Sequence, residues 1–291
     1  MNAPTQQIPA VYHRRIGDIV VTALADGVAI RDHKMMIGVS EDEGAQHLQA
    51  AFRDHFALSI NTFLIHSAGR LALIDTGSGT YLGPDAGHLP SNLRAAGVDP
   101  AAIDTILLTH MHPDHSAGLT NRDTGAKHFP NAQLVAHENE PKHWFDDGAM
   151  SRASERERVM MFQQARDQTA PYLAEMQRFT DGEVFPGVTA LPCPGHTPGH
   201  TAYMISSNDE TLLIWGDIVH IPEVQVPRPD VSMVVDVDPA MAATSRKRMF
   251  DMAASERLLV TGMHLHYPGF GHVARDGDSW RFAPEPWAQG M

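Results

Sequence analysis

The chain has 291 residues, 43% of them hydrophobic, which suits one large globular domain with a substantial core. Its 22 basic and 35 acidic residues give a formal charge of −13, so a nucleic-acid partner is not expected. No run of about 18 apolar residues occurs, so no membrane span is expected. The lone Cys193 rules out an intramolecular disulfide, and the start lacks an apolar signal core, so we expect a cytoplasmic location.

The beginning of the chain predicts a loose N-terminal arm over residues 1–16, followed by a single domain over residues 17–291. No low-complexity linker divides this domain. Residues 33–57 resemble an insertion, in which Ser40 and the acidic residues after it predict a helix start. We interpret the insertion as an apolar flap over a functional site or as a dimer contact, with an ordinary amphipathic helix as the alternative.

The densest group of metal-binding residue types follows a predicted core strand at residues 106–108. It is His110-Met111-His112-Pro113-Asp114-His115. Side chains alternate along an extended chain, so His110 and His112 can converge on one metal ion. The turn that follows directs Asp114 and His115 toward a second ion, and two ions about 3.5–4 Å apart activate water for hydrolysis. A surface histidine cluster is the alternative interpretation.

This His-x-His-x-Asp-His run resembles the signature of the metallo-β-lactamase superfamily, and the likeness extends from about Gly17 to about His272. The resemblance implies an α/β fold, an αββα sandwich of two mixed sheets with helices on both outer faces and two metals at one edge. Residues 70–75 predict a strand that ends at Asp75. The resemblance implies that Asp75 accepts a hydrogen bond from a ligand imidazole, whereas the sequence alone also allows a simple turn cap.

Three later segments complete the resemblance. Gly195-His196-Thr197-Pro198-Gly199-His200 is similar to the second signature of the superfamily, which implies a ligand at His196 and a structural role for His200. Asp217 follows a predicted strand and matches the bridging carboxylate, and His264 matches the last histidine, although His266 and His272 compete with it. The implied first site is His110, His112 and His196, the second is Asp114, His115 and His264, and Asp217 bridges them.

Two helical segments are predicted in the second half of the chain. Residues 151–178 are helical in composition, and residues 239–254 follow Asp238 as a cap and a proline in the first turn. The basic triplet Arg246-Lys247-Arg248 in the second helix is interpreted as a solvated face.

The segments 215–220 and 262–272 resemble those of methyl parathion hydrolase and related lactonases. This resemblance implies two divalent cations, zinc first, with manganese, cobalt or iron as alternatives. A metal-bridging hydroxide would then open a lactone or cleave an aryl ester. Hydrolysis of a phosphotriester, as in methyl parathion hydrolase, is the alternative, followed by a mononuclear iron sulfur dioxygenase. The absence of Gly-x-Ser-x-Gly argues against a serine esterase.

Asp114 and His220 are the candidate catalytic residues. Lactonases of the superfamily that act on acyl-homoserine lactones carry a tyrosine three residues after the bridging aspartate, where this chain has His220. A histidine there could donate a hydrogen bond to an oxyanion or protonate a leaving group, or it could simply line the pocket. The expected partner is a small hydrophobic ester, lactone or phosphotriester, and a homodimer is expected from the insertion and the family. The predicted pocket residues are Met35, Trp144, Phe145 and Phe270.

Overall fold

Two large β-sheets form the centre of the computed structural model, which describes residues 3–5 and 7–290. The strands of this part of the chain are β1 Val11–Ile16, β2 Ile19–Arg31, β3 Met36–Ile37, β4 Phe56–Ser67, β5 Arg70–Ile74, β6 Thr105–Leu107, β7 Gln133–His137, β8 Gln177–Phe179, β9 Gly182–Phe185, β10 Val188–Pro192, β11 Thr201–Ser207, β12 Glu210–Ile214, β13 Ser232–Met233, β14 Leu259–Thr261, β15 Gly271–Asp276 and β16 Ser279–Pro284. The first sheet has the order β1-β2-β4-β5-β6-β7-β8, and the second has the order β16-β15-β14-β12-β11-β10-β9.

Helices and helical turns connect these strands. The α-helices are α1 Glu41–Ala50, α2 Leu89–Ala95, α3 Pro113–Ser116, α4 Asn139–Trp144, α5 Asp147–Arg152, α6 Glu155–Glu157, α7 Gln164–Thr169, α8 Pro222–Gln225 and α9 Pro239–Ser255. A π-helical turn spans Arg158–Gln163, and 3₁₀ turns span His33–Met35, Pro100–Ala102, Ala117–Leu119, Ala170–Glu175 and Gly216–Ile218. Within the described residues, no helix has both the length and the apolar character needed to cross a bilayer.

Alternation along the strands explains why the two sheets pack face to face. In β4, Phe63 and Ile65 lie in the core between the sheets, whereas Leu64 lies in a second core beneath helices. In β12, Leu212 faces the inner core, and Leu213 packs with Phe250 of α9. Helices therefore cover both outer faces, and the predicted αββα sandwich is confirmed.

The predicted N-terminal arm is wrong for residues 11–16. These residues form β1, which pairs antiparallel with β2 and buries Ile16 between the sheets, because this position meets the apolar inner face. Residues 1, 2 and 6 of the arm, and residue 291 of the predicted domain, lie outside the described residues.

The segment 33–57 packs against the rest of the same domain. Ser40 caps α1 by accepting a hydrogen bond from the Glu43 amide, as its sequence indicated. Leu48 of α1 packs in the same core cluster as Val224 of α8, which gives the helix an ordinary packing role. Phe52, just after the helix, is 97% exposed, so the segment also presents an uncovered aromatic ring.

Candidate metal centre

The proposed ligands all follow strands whose ends meet at one edge of the sandwich. His110 and His112 follow β6, and His196 follows β10. Asp217 follows β12, and His264 follows β14, which pairs in parallel with β12. Because neighbouring parallel strands end at the same edge of a sheet, the fold brings these distant residues together.

The first group of donors has its nitrogen lone pairs aimed at a common point. His196 Nε2 lies 3.1 Å from His110 Nε2 and 2.9 Å from His112 Nδ1. The Thr109 hydroxyl donates to Asp75 at 2.7 Å and lies 3.0 Å from His110 Nδ1, so it accepts the proton of that nitrogen. His110 Nε2 therefore carries the lone pair, as a metal ligand requires.

The second group consists of Asp114, His115 and His264, whose donor atoms lie within 4.8 Å of one another. His115 Nδ1 lies 2.7 Å from Asp75 Oδ2, and His264 Nδ1 lies 2.6 Å from the carbonyl oxygen of Ser59. Each outer nitrogen therefore donates a proton to an oxygen, and each Nε2 faces the site with its lone pair.

Asp217 lies between the two groups. Its Oδ2 lies 3.1–3.7 Å from the Nε2 atoms of His110, His115, His196, His220 and His264. Its Oδ1 is buried and has no hydrogen-bond partner in the described part of the chain, and the same holds for His115 Nε2. Two sets of nitrogen and oxygen donors around one shared carboxylate, with buried atoms left unpaired, fit two divalent cations.

The electrostatics of the site favour bound cations. Burial lowers the pKa values of His110 and His112 well below the usual value, so both rings are neutral, which is the form that coordinates a metal. Burial also disfavours the charged form of His115, but the carboxylates of Asp217 and Asp114 outweigh it and raise the pKa of His115 well above the usual value. The carboxylates thus attract positive charge, which cations would supply.

Asp75 and His200 support the ligands from behind. Asp75 accepts from both the amide and the hydroxyl of Thr109 as well as from His115, so it positions the start and the end of the ligand run. His200 Nδ1 lies 3.0 Å from the Cys193 carbonyl, and its Nε2 accepts from the Asp217 amide at 2.9 Å. Burial lowers the pKa of His200 to about 3, so the ring is neutral with both nitrogens engaged and has no free lone pair for a metal.

His220 lies inside the site. Its Nε2 is 3.1 Å from Asp217 Oδ2, and its ring stacks on His264 with centroids 5.2 Å apart. Neither ring nitrogen has a hydrogen-bond partner of good geometry within the described residues. Gln225 fixes the backbone here by accepting from the His220 amide at 2.7 Å. Burial lowers the pKa of His220 to about 4, so the ring is a neutral donor and also a possible additional ligand beside Asp217.

Three residues that orient the metal-binding donors or join their loops were not predicted from the sequence. Asp236 Oδ1 lies 2.7 Å from His196 Nδ1, and Ser59 supplies the carbonyl that orients His264. Glu140 is fully buried and accepts from the Met111 amide at 2.8 Å and from the Gly199 amide at 2.9 Å, joining the two ligand loops. For Glu140, the run of polar residues directly after β7 was the available signal, whereas no sequence pattern marks the other two.

The interpretation of Arg246 as part of a solvated face is wrong. Its side chain is 1% exposed and donates to the carbonyl oxygens of Ile218, Pro229 and Val231. The Ile218 carbonyl belongs to the turn that carries Asp217, whereas the carbonyls of Pro229 and Val231 lie between α8 and β13. The guanidinium therefore satisfies backbone groups of two segments, one of them beside the site.

Two cavities of about 620 and 250 Å³ share several lining residues and open onto the ligands. Met35 lines both cavities, and Trp144 lines the larger one. Phe145 does not line either cavity, because its ring packs in the outer core and against Arg166. Phe270 is also wrongly assigned to the pocket, because it lies between the sheets, where its ring centroid is 5.7 Å from that of Tyr12.

A buried cluster of imidazoles and carboxylates at the edge of a two-sheet sandwich defines a protein built to hold metal ions. The chain belongs to the metallo-beta-lactamase superfamily, which matches residues 55–255. The resemblance seen in the sequence is thereby confirmed.

Two curated proteins are similar to this chain over more than half of its length. The chain is 29% identical over 159 residues to the uncharacterized protein YobT of Bacillus subtilis, covering 54% of this chain and 61% of that protein. It is 27% identical over 194 residues to an N-acyl homoserine lactonase of Bacillus thuringiensis, covering 66% of this chain and 65% of the lactonase. The chain therefore spans less than two thirds of the length of these relatives.

Solved structures match over nearly the whole chain. The hydrolase AbOPH of the beta lactamase superfamily superposes with a TM-score of 0.91 at 30% identity, covering 98% of this chain and 100% of that one. AidC, a dizinc quorum-quenching lactonase, superposes with a TM-score of 0.89 at 24% identity, covering 97% of this chain and 99% of that one. The second likeness is a likeness of fold.

Proposed function

We propose that this chain is a hydrolase that uses two divalent cations to open a lactone or cleave an aryl ester. The observation that carries the proposal is the position of Asp217, whose Oδ2 lies within 3.7 Å of the Nε2 atoms of five histidines from four separate loops. When bound at such a site, a pair of cations polarises the substrate oxygen and lowers the pKa of water.

The residues of the chain would position and protect the substrate. The neutral His220 ring lies beside Asp217 with both nitrogens unpaired in the described part of the chain, so it can donate a hydrogen bond to a developing oxyanion. Donation fits this ring better than proton release, because its pKa of about 4 leaves it without an acidic proton near neutral pH. Met35 and Trp144 make the cavity wall apolar and limit the access of water.

The relatives support a hydrolase, and one of them supports a lactone. The N-acyl homoserine lactonase of Bacillus thuringiensis shares 27% identity over 194 residues. A phosphotriester remains the competing substrate class, because the same two-cation chemistry polarises a phosphoryl oxygen. The iron dioxygenase reading is less well supported, because two donor groups surround Asp217 where a single iron needs one.

Zinc is the proposed metal, with manganese, cobalt or iron as alternatives. The donors are imidazoles and carboxylates, which zinc accepts readily, and they include no thiolate. The Cys193 thiol lies 3.2 Å from the Leu191 carbonyl and is buried away from the donors. Elemental analysis of the purified protein tests this assignment, with two metals per chain expected, and one iron per chain with oxygen-dependent turnover would overturn it.

A homodimer and a cytoplasmic location belong to the same proposal. The exposed ring of Phe52, directly after α1, supports a contact made by the segment 33–57. The free thiol of Cys193 suits a reducing compartment. Sedimentation of the wild type beside Phe52→Ser tests the dimer: a dimer that dissociates in the variant supports it, and a monomeric wild type contradicts it.

The activity is tested on the zinc-loaded enzyme with three substrates: an aromatic lactone, a long-chain acyl-homoserine lactone and a methyl organophosphate. Asp217→Ala should abolish turnover, and Asp209→Ala, which removes an exposed aspartate in the β11–β12 turn, should not. A lactone preference in kcat/KM above about a hundredfold, or about 2.7 kcal/mol, supports the lactonase. A preference for the organophosphate selects the alternative, and turnover unaffected by Asp217→Ala contradicts the site.

A further inference from the structure

Three arginines line the cavities of a chain that is acidic overall. Arg31 lines the smaller cavity, Arg152 lines the larger one, and Arg156 lines both. The chain carries 22 basic and 35 acidic residues, so this grouping runs against its composition. Arg31 comes from the end of β2 and Arg156 from α6, so separate elements bring the two arginines to the wall of the smaller cavity.

The carboxylates of the cavities do not neutralise these arginines. The carboxylate of Glu157 accepts from the Ser154 amide in its own helix cap, and Asp236 holds His196. Asp114 and Asp217 face the histidines of the metal centre. Within the described residues, Arg31 and Arg156 make no ion pair with a carboxylate within 4.0 Å, whereas the charge of Arg152 acts on Asp146. The positive charge of Arg31 and Arg156 is therefore left for another partner.

Apolar side chains line the same cavities. Met35, Met160 and Met161 line both cavities, and methionine adapts its shape to an apolar chain. The larger cavity adds Trp144 and Phe162. A molecule that fills this space therefore meets metal-binding donors, flexible apolar surface and guanidinium groups.

We infer that the substrate is amphipathic, an ester or lactone whose apolar chain ends in a carboxylate bound by Arg156 together with Arg31. The inference rests on the proposed function, because it places the scissile carbonyl at the metal centre. A guanidinium offers two parallel N–H donors that match the two oxygens of a carboxylate. Arg31 uses one donor on the carbonyl oxygen of Ile30, at 3.2 Å, and keeps its remaining donors available. Arg156 reaches both cavities, so it is the principal specificity residue.

The test compares 4-nitrophenyl hexanoate with 4-nitrophenyl hydrogen adipate, which has a chain of the same length with a terminal carboxylate. Zinc-loaded enzyme should favour the adipate ester by at least about tenfold in kcat/KM. Arg156→Gln should remove most of this preference by lowering kcat/KM for the adipate ester much more than kcat/KM for the hexanoate ester, because a neutral chain makes no ion pair. The matched control is Arg94→Gln, which removes an exposed arginine of α2 that lines neither cavity.

The outcomes separate the two proposals. Equal turnover of both esters overturns the carboxylate site and leaves the hydrolase standing. An equal loss of preference in Arg94→Gln and Arg156→Gln also overturns it, because the effect then comes from net charge. If neither ester is turned over, the proposed esterase activity fails, and calorimetric binding of adipate against hexanoate decides the inference. Tighter binding of adipate that is lost in Arg156→Gln supports the site, and equal binding of the two acids overturns it.

Discussion

The carboxylate of Asp236 lies 2.7 Å from Nδ1 of His196, forty residues away along the chain. Its second oxygen accepts from the Met233 amide, also at 2.7 Å, so the loop that carries Asp236 is held in place. The contact fixes the tautomer of His196 and turns its Nε2 toward His110 and His112. Asp236 thus supports the first group of donors as Asp75 supports His115.

We expect Asp236→Ala to weaken zinc binding by about 10- to 100-fold, because the ring of His196 loses the acceptor that orients it. Asp236→Asn keeps an amide oxygen that can accept the same proton, so its loss should be smaller. Competition with a chromophoric chelator measures both affinities. Asp230→Ala is the control, because this exposed aspartate lies on the other side of β13 and pairs with Arg228. Equal affinities in Asp230→Ala and Asp236→Ala would show that the contact does not support the site.

The cluster of candidate ligands was predictable because each of these residues follows a strand in the order that the superfamily pattern requires. Asp236 was not predictable, since a loop of no regular pattern carries it to His196. Phe270 was misplaced for a similar reason: proximity to His264 in sequence suggested the pocket, but the chain turns inward and buries the ring between the sheets. Arg246 was misread because composition cannot tell that three backbone carbonyls need its donors. Local pattern determines strands and ligand order, whereas tertiary packing determines the supporting residues.

Replacing Glu140 by glutamine should lower the free energy of unfolding. The buried carboxylate accepts from Met111, Trp144, Thr197 and Gly199, and burial raises its pKa. A glutamine amide would turn an N–H group toward donors that need an acceptor, costing about 2–4 kcal/mol of unfolding free energy. Denaturant titration of the metal-free protein measures the loss without a contribution from metal binding.

The control for this prediction is Glu138→Gln, two residues earlier. The side chain of Glu138 is 38% exposed and pairs with Lys142 at 2.6 Å, so solvent replaces the lost contact. We expect its denaturation midpoint to stay close to that of the wild type. Equal midpoints for Glu138→Gln and Glu140→Gln would mean that the hydrogen bonds of Glu140 do not hold the two ligand loops.

The Cys193 thiol should be unreactive in the folded protein, and its ionisation should lower the free energy of unfolding at alkaline pH. Burial raises the pKa of the thiol to about 11, whereas an unfolded cysteine has a pKa of about 8.5. The folded state binds this proton more tightly, so the contribution to stability is fully present below pH about 8.5 and is lost as pH rises toward about 11.

Iodoacetamide at pH about 8 should label the folded protein at least about a hundredfold more slowly than the unfolded protein, because the thiolate is the nucleophile. Cys193 is the one cysteine of the sequence, so mass spectrometry reports its labelling directly, with Cys193→Ala as the blank. Labelling of the folded protein at the rate of the unfolded protein would show that the thiol is accessible and ionised.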